Sequence, residues 1–382
     1  MSELAGHASV LTVDLGAVCS NYRLLRAQAP LAECAAVLKA DAYGLGAEAV
    51  GEALAAQGCR LFFVAHLEEG IVLRAALPAA AQVFVLHGPV PGSEREFLRH
   101  NLVPVLNTPG QIDAWRALAR SVGRALPAIL QVDSGMARLG LTPVEVDALL
   151  ERGDGLRGIA LRYLMSHLAC AEEQAHPMNA AQLARFTQLR SRFPAVPASL
   201  ANSSGIFLGP RFHFDLLRPG AALYGIAPVA GAVNPMRPVV RLQAGVIQVR
   251  EIEGGASVGY GARYRAPGRR RIATIAAGYA DGWLRSLSGR GSAVIDGKKL
   301  PMVGTVSMDT CALDVTDLPA ARVQPGTLVD LICADQPVDA VAAMAGTIGY
   351  EILTSLGSRY RRRYIGGAQN DETSAHEAAT SV

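Results

Sequence analysis

The chain has 382 residues, half of them apolar and 18% charged, with a net charge of +3. That length exceeds one ordinary core, so two domains are expected, and the mixing of acids with bases argues against a dedicated nucleic-acid binder. No run approaches the ~18 uninterrupted apolar residues of a membrane span, and the opening "MSELAGHASV" lacks a charged segment followed by an apolar one, so a soluble, cytoplasmic protein is expected.

The first predicted elements, in "SVLTVDLGAVCSNYRLLRAQ", are a strand followed by a helix. From about residue 35 to 225 the pattern then repeats with a regular beat, each short apolar run being followed by an amphipathic stretch. The runs are "CAAVLKA", "LFFVAH", "QVFVLHG", "LVPVLN", "AILQVDSG", "IALRYLMSH", "ASLANS" and "DLLRPGAALYG". The helical stretches include "GAEAVGEALAAQG", "LEEGIVLRAAL", "TPGQIDAWRALARSVG", "TPVEVDALLERG" and "NAAQLARFTQLRSRF". Eight such runs are the number that closes a parallel (β/α) barrel, and no GxGxxG turn points to the competing open sheet.

After about residue 238 the texture changes to short alternating runs rich in β-branched residues and broken by glycine and proline: "VVRLQAGVIQVREI", "RIATIAAGYADG", "SAVIDGKKLPMVG" and "TCALDVTDL". A helix is read from "AVAAMAG" into "TIGYEILTSLGSRY", and the arginine runs at 268–271 and 358–364 read as solvated surface or interface pairs. The expected organisation is a strand over 1–15, which the barrel count leaves over, a barrel over 16–237, a β-rich domain over 238–366 and a disordered polar tail over 367–382. The six cysteines (Cys19, Cys34, Cys59, Cys170, Cys311 and Cys333) show no CxxC pair and read as small hydrophobes of a reduced compartment.

In a barrel of this kind the catalytic groups lie at the C-terminal strand ends. Those positions hold Lys39, His66, His87, Asn107, the "DSGMARLG" turn with Arg138, His167, "ANSSG" and "RPGAALYG". Carboxylates beside the histidines are too sparse for a metal site, and no GxSxG elbow supports a serine hydrolase. His66 and His87 read as structural. A desolvated lysine loses its proton more readily and suits imine formation with a carbonyl. The last two strand ends offer the hydroxyls of Ser203 and Ser204 and the amides of Gly220 and Ala221 to a phosphate. Lysine and phosphate cradle together point to pyridoxal 5′-phosphate, although phosphosugar aldolases also use a barrel lysine.

The segments "AVLKADAYGLG", "QVDSGMARLG", "MSHLACAEE", "ANSSG", "LLRPGAALYGIAP", "VGYGARY", "AAGYADGW", "MVGTVSMDT" and "TIGYEILTSLGSRY" resemble, in order, the consecutive motifs of the alanine racemase family. The resemblance implies a pyridoxal-phosphate TIM-like barrel followed by a β domain that also takes the N-terminal strand. It implies that Lys39 carries the cofactor as an imine and that Tyr43, Ser203, Gly220, Ala221 and Tyr350 hold the phosphate. Arg218 would face the pyridine nitrogen with His167 behind it, and Arg138 would lie near the phenolic oxygen and the substrate carboxylate. Tyr260, from the β domain of the other subunit of a homodimer, would be the second catalytic base, with Met308 touching the substrate and Tyr279 lining the entrance. The implied reaction interconverts L- and D-alanine and supplies D-alanine for peptidoglycan. A racemase of broader specificity, acting for example on serine, is the alternative; a non-catalytic cofactor carrier would lack the β domain.

Two positions depart from the family pattern. Many relatives carry a carbamylated lysine two residues before the aspartate of the "DSGM" turn, and this chain has Gln131, which brings no charge to Arg138. In "VSMDT" Ser307 stands where many relatives have cysteine, so thiol-based inhibition does not carry over.

Overall fold

The computed structural model describes residues 8–367; the first seven residues, and the expected disordered tail apart from Gly367, lie outside the described residues. The chain divides into two compact units. One takes in Val18–Leu223 and Ala227–Met236; the other combines the described part of the N-terminal segment through Ala17 with Tyr224–Ile226 and the chain from Arg237 onward.

In chain order, β1 (Ser9–Asp14) and α1 (Leu15–Ala27) lead into β2 (Glu33–Cys34), β3 (Ala36–Val37), α2 (Lys39–Gly44) and α3 (Ala47–Ala56). Then come β4 (Leu61–Val64), α4 (Leu67–Ala76), β5 (Gln82–Val85), α5 (Glu94–Arg99), β6 (Leu102–Leu106) and α6 (Pro109–Val122). The first unit finishes with β7 (Leu126–Gln131), α7 (Pro143–Glu151), β8 (Ile159–Met165), α8 (Pro177–Arg190), β9 (Ala198–Ser199) and β10 (Leu216–Leu217). Strands β3 to β9 form one parallel sheet in sequential order. The ring closes through β10, which pairs with Glu33 and Cys34 on one side. On its other side the amides of Asp215 and Arg218 donate to the carbonyls of Ala198 and Ala201. This is the eight-run barrel expected from the sequence, and strands such as β4 and β6 read as unbroken apolar runs because side chains on both faces are buried.

The barrel interior is filled by Val37, Phe63, Phe84, Val105, Ile129, Tyr163, Met165 and their neighbours, with the rings of Phe63 and Phe84 stacked at 4.8 Å. The outer helices begin where the sequence supplies caps. Thr108 accepts from the Gln111 amide ahead of Pro109, and Thr142 and Glu145 satisfy one another's main-chain amides ahead of Pro143. Helix α5 was not anticipated: its six residues are too few to show a helical period.

The second unit adds β11 (Val240–Ile252), β12 (Ser257–Val258), β13 (Tyr264–Arg265), β14 (Arg270–Ile275), β15 (Ser292–Ile295), β16 (Lys298–Val303), β17 (Cys311–Asp314) and β18 (Leu328–Ile332). It ends with α9 (Val338–Ala345), α10 (Gly349–Ser355) and β19 (Arg361–Ile365). Its sheet runs β14-β17-β16-β15-β18-β11-β1-β19, and β14 also pairs with β11. The long strand β11 serves two sets of neighbours because its register shifts between Val246 and Gln248, where the strand bends. The leftover N-terminal strand joins here, with β1 antiparallel to β11 and parallel to β19. Two readings are corrected. The single late helix is two helices, parted at Gly346, whose φ of 74° ends α9. Most of the 358–364 run is an edge strand, β19, whose exposed arginines discourage further strand pairing.

Candidate active site

Strand β3 leads directly into Lys39, and the Leu38 amide makes the last ladder-type bond, to Phe63 O at 2.8 Å. Beyond Lys39 the backbone turns left-handed for four consecutive residues without a glycine: Ala40, Asp41, Ala42 and Tyr43, with φ between 52° and 58°. Such a conformation costs L-residues roughly 1–2 kcal/mol each, so it needs outside support. The Ala42 amide donates to Leu38 O, and the Asp41 carboxylate accepts from the Ala47 amide that opens α3. The Ala40 amide donates to Glu69 Oε1 at 2.6 Å. Burial, and then the charge of Arg138, hold the Lys39 ammonium below its usual range, while Glu69 acts the other way. The amine is therefore more readily neutral than a surface lysine.

Ser203, after β9, accepts from the amides of Gly220 at 2.9 Å and Ala222 at 3.2 Å. A Cβ at Gly220 would lie 2.6 Å from Tyr43 Oη, so the glycine is what lets the Tyr43 hydroxyl reach this backbone. Tyr43, Ser203, Gly220 and Ala221 thus gather at one place, beside the turn that carries Lys39. Gly220→Ala is expected to push the Tyr43 hydroxyl away. Overpacking of this kind costs about 1–3 kcal/mol, and affinity for pyridoxal phosphate, the cofactor expected from the sequence, should fall roughly 5- to 150-fold by fluorescence titration. Affinity equal to that of the unmodified chain would show that this close approach is not part of the cradle.

Arg218, after β10, is buried. Its guanidinium donates to Ser199 Oγ and to the carbonyls of Ser166 at 2.7 Å and Leu200 at 3.4 Å, and it lies 3.5 Å from His167 Nδ1. Burial pushes Arg218 down to about 9, which leaves it protonated at neutral pH. Burial, followed by the charges of Arg218, Arg138 and Lys39, pushes His167 down to about 3, so that ring is neutral. The result is a cationic guanidinium backed by a neutral imidazole.

Arg138 sits in a turn built by Asp133, whose Oδ1 accepts from the amides of Gly135, Met136 and Ala137. Buried Gln131 reaches the same turn by donating from Nε2 to Leu139 O at 3.4 Å. Its amide thus meets the backbone beside Arg138. No carboxylate among the described residues lies within ion-pairing distance of the Arg138 guanidinium. With no lysine at 131 to carbamylate, activity is expected to be indifferent to bicarbonate. Turnover measured in degassed buffer before and after adding bicarbonate checks this, and recovery on addition would contradict it.

The remaining expected residues belong to the second unit. Tyr260 is 74% exposed, in a turn flanked by Gly259 and Gly261 at φ of 73° and 72°, and its carbonyl accepts from Thr305 Oγ1. Met308 and Tyr279 are also exposed and lie on adjoining loops, joined by bonds from the amides of Tyr279 and Ala280 to the carbonyls of Ser307 and Met308. A Cβ at Gly278 would come within 2.3 Å of Met308 O, so the "GYADG" glycine allows the two loops to meet. Arg359 ties the same loops together by donating to both Asp281 and Asp309. Tyr350 lies on α10.

Residues 13–228 match the family model "Alanine racemase, N-terminal domain" and residues 239–364 match "Alanine racemase, C-terminal domain". The chain belongs to the alanine racemase family. It is 53% identical over 96% of its length to a relative from Mesorhizobium japonicum named "Alanine racemase, catabolic", 96% of which is covered. It is 52% identical over 94% of its length to an alanine racemase from Rhodospirillum rubrum, 96% of which is covered. A crystal structure of alanine racemase from Bartonella henselae with covalently bound pyridoxal phosphate superposes with a TM-score of 0.91 at 42% identity, covering 94% of this chain and 99% of that one.

Within this racemase-family barrel two supporting residues escaped the sequence reading. Gln182 on α8 is fully buried; its Oε1 accepts from the Ala169 amide, and its Nε2 donates to His167 O at 2.9 Å and toward Ser134 Oγ at 3.4 Å. It therefore joins the His167 loop to the Arg138 turn. A polar residue in an amphipathic helix gives no signal that it points inward. Glu69 is the other; an acid in the first turn of a helix is commonplace.

Proposed function

We propose that this chain racemises alanine with pyridoxal 5′-phosphate, using one base from each of two subunits. What carries the reading is a desolvated lysine at one barrel strand end, beside a hydroxyl-and-amide cradle and a buried guanidinium. This donor set fits the cofactor: an amine for its aldehyde, a cradle that a Cβ at Gly220 would fill, and a cation for its ring nitrogen. When bound, pyridoxal phosphate supplies a carbonyl that condenses with amines and a conjugated ring that acidifies the substrate Cα–H. Tyr43, Ser203, Gly220, Ala221 and Tyr350 hold the phosphate. Arg218 faces the pyridine nitrogen with His167 behind it, and because arginine keeps its proton it does not protonate the ring as an acid would.

Racemisation needs a proton removed at one face of Cα and delivered at the other, and two bases do this in one pass. Lys39 takes the proton of D-alanine and Tyr260 that of L-alanine. Arg138 holds the substrate carboxylate, Met308 touches the substrate, and Tyr279 lines its entrance. The exposure of Tyr260 and Met308 supports delivery to a second copy, and hence a homodimer with shared sites. No helix among the described residues is long and apolar enough to cross a membrane, and we assign the enzyme to the cytoplasm.

The use we assign to D-alanine is peptidoglycan synthesis. The name of the Mesorhizobium relative, "Alanine racemase, catabolic", favours a second reading, a catabolic role. The test of the activity is chiral chromatography of purified protein incubated separately with L-alanine and L-serine. D-Alanine formed much faster than D-serine supports the proposal; no D-amino acid from either substrate would end it, and preference for serine would move it to the broader racemase. A deletion strain that requires D-alanine supports the biosynthetic role, and one that merely fails to grow on alanine supports the other.

A further inference from the structure

Glu69 is the third residue of α4, a position from which a glutamate ordinarily turns back on the start of its own helix. One oxygen of this carboxylate does so: Oε2 accepts from the amides of Ala65 at 2.7 Å and His66 at 3.1 Å. The other oxygen leaves the helix and accepts from the Ala40 amide. One carboxylate therefore joins the end of strand β4 to the first residue of the left-handed turn that follows Lys39.

We propose that Glu69 is a positioning residue for Lys39: its carboxylate pins the left-handed turn to the end of β4, so that the amine leaves the strand at a fixed place and beside a negative charge. The inference rests on Lys39 being the reactive amine. An ionised carboxylate is the group suited to this task, because two oxygens serve three amides and accept without donating. The other charged or titratable groups facing Lys39 are Arg138, His87 and His167. His87 is in turn packed edge-on against His66 at 4.5 Å. Among these described groups and Glu69, only the Glu69 carboxylate favours the ammonium form, so removing its charge shifts the lysine titration to lower pH.

Glu69→Gln keeps the shape but offers one acceptor oxygen, and it turns an NH₂ toward at least one main-chain N–H. Glu69→Asp keeps the charge but falls short of Ala40. The experiment measures amide hydrogen exchange at Ala40, the melting temperature, and kcat and KM against pH in the D-alanine to L-alanine direction, where Lys39 must be neutral. For Glu69→Gln we expect Ala40 to exchange at least about tenfold faster and kcat to fall about tenfold or more, since a misplacement near 1 Å costs up to ~10²-fold. KM for alanine should stay within about threefold. The rising limb of the rate should move to lower pH in Glu69→Gln and stay in place in Glu69→Asp, while both variants lose kcat. Unchanged Ala40 exchange with an unmoved limb, and loss of activity only in proportion to the folded fraction, would overturn the proposal. Failure of the parent enzyme to racemise alanine would instead strike at the function proposed above.

Discussion

Lys39→Ala is expected to abolish racemisation of both enantiomers, a loss of about 10³-fold or more, and to leave pyridoxal phosphate without a covalent attachment. The size of the effect follows from the two duties proposed for the residue, holding the cofactor aldehyde and handling a proton at one face. Its surroundings suit both, because burial and Arg138 favour the neutral amine that each duty requires. Borohydride reduction followed by peptide mass spectrometry reads the attachment directly. The cofactor mass should appear on the Lys39 peptide of the parent chain and on no peptide of the variant. Fixation at another lysine, or turnover within about tenfold of the parent, would remove Lys39 from the mechanism.

Tyr260→Phe should have the second largest effect, and an asymmetric one. The ring stays and only the phenol is lost, and with 74% of the residue exposed the fold does not depend on it. Racemisation in either direction should fall by roughly 10²- to 10⁴-fold, the usual contribution of a positioned general base. Exchange of the α-proton of D-alanine with D₂O should persist if Lys39 serves that face as proposed, while exchange from L-alanine should fall with racemisation. Proton NMR of each enantiomer separately makes the comparison. Equal losses at both faces would contradict the assignment of one base to each.

The sequence displays the barrel clearly because a parallel strand buried on both faces leaves an unbroken apolar run, as in "LFFV" and "LVPVL". It hides the turn after Lys39, since nothing in "KADAYG" marks four left-handed residues. That conformation is fixed from outside by Glu69, 29 positions further on. Gln182 is hidden for a similar reason: its partners, Ala169, His167 and Ser134, belong to loops that only the closed barrel brings to α8. The strand at 361–365 was concealed by its own arginines, whose charge conveys exposure and not edge pairing. The barrel candidates Lys39, Arg138, His167, Ser203, Arg218, Gly220 and Ala221 were legible because they fall at or just after the ends of apolar runs, whereas Tyr43 rests on the resemblance. Those of the second unit, Tyr260, Tyr279, Met308 and Tyr350, rest on motif order, for no periodicity distinguishes them from ordinary loop and helix aromatics or a loop methionine.

The central claim is that two different groups handle the proton on opposite faces of Cα, and its most direct measurement is the early phase of L-alanine racemisation in D₂O. Isotope content is followed separately in the residual substrate and in the first D-alanine formed. Separate bases predict that the new D-alanine carries deuterium at Cα from the outset, whereas the remaining L-alanine gains it more slowly. D-Alanine that forms with its original proton retained would mean that one group carries the proton from face to face, and would contradict the account.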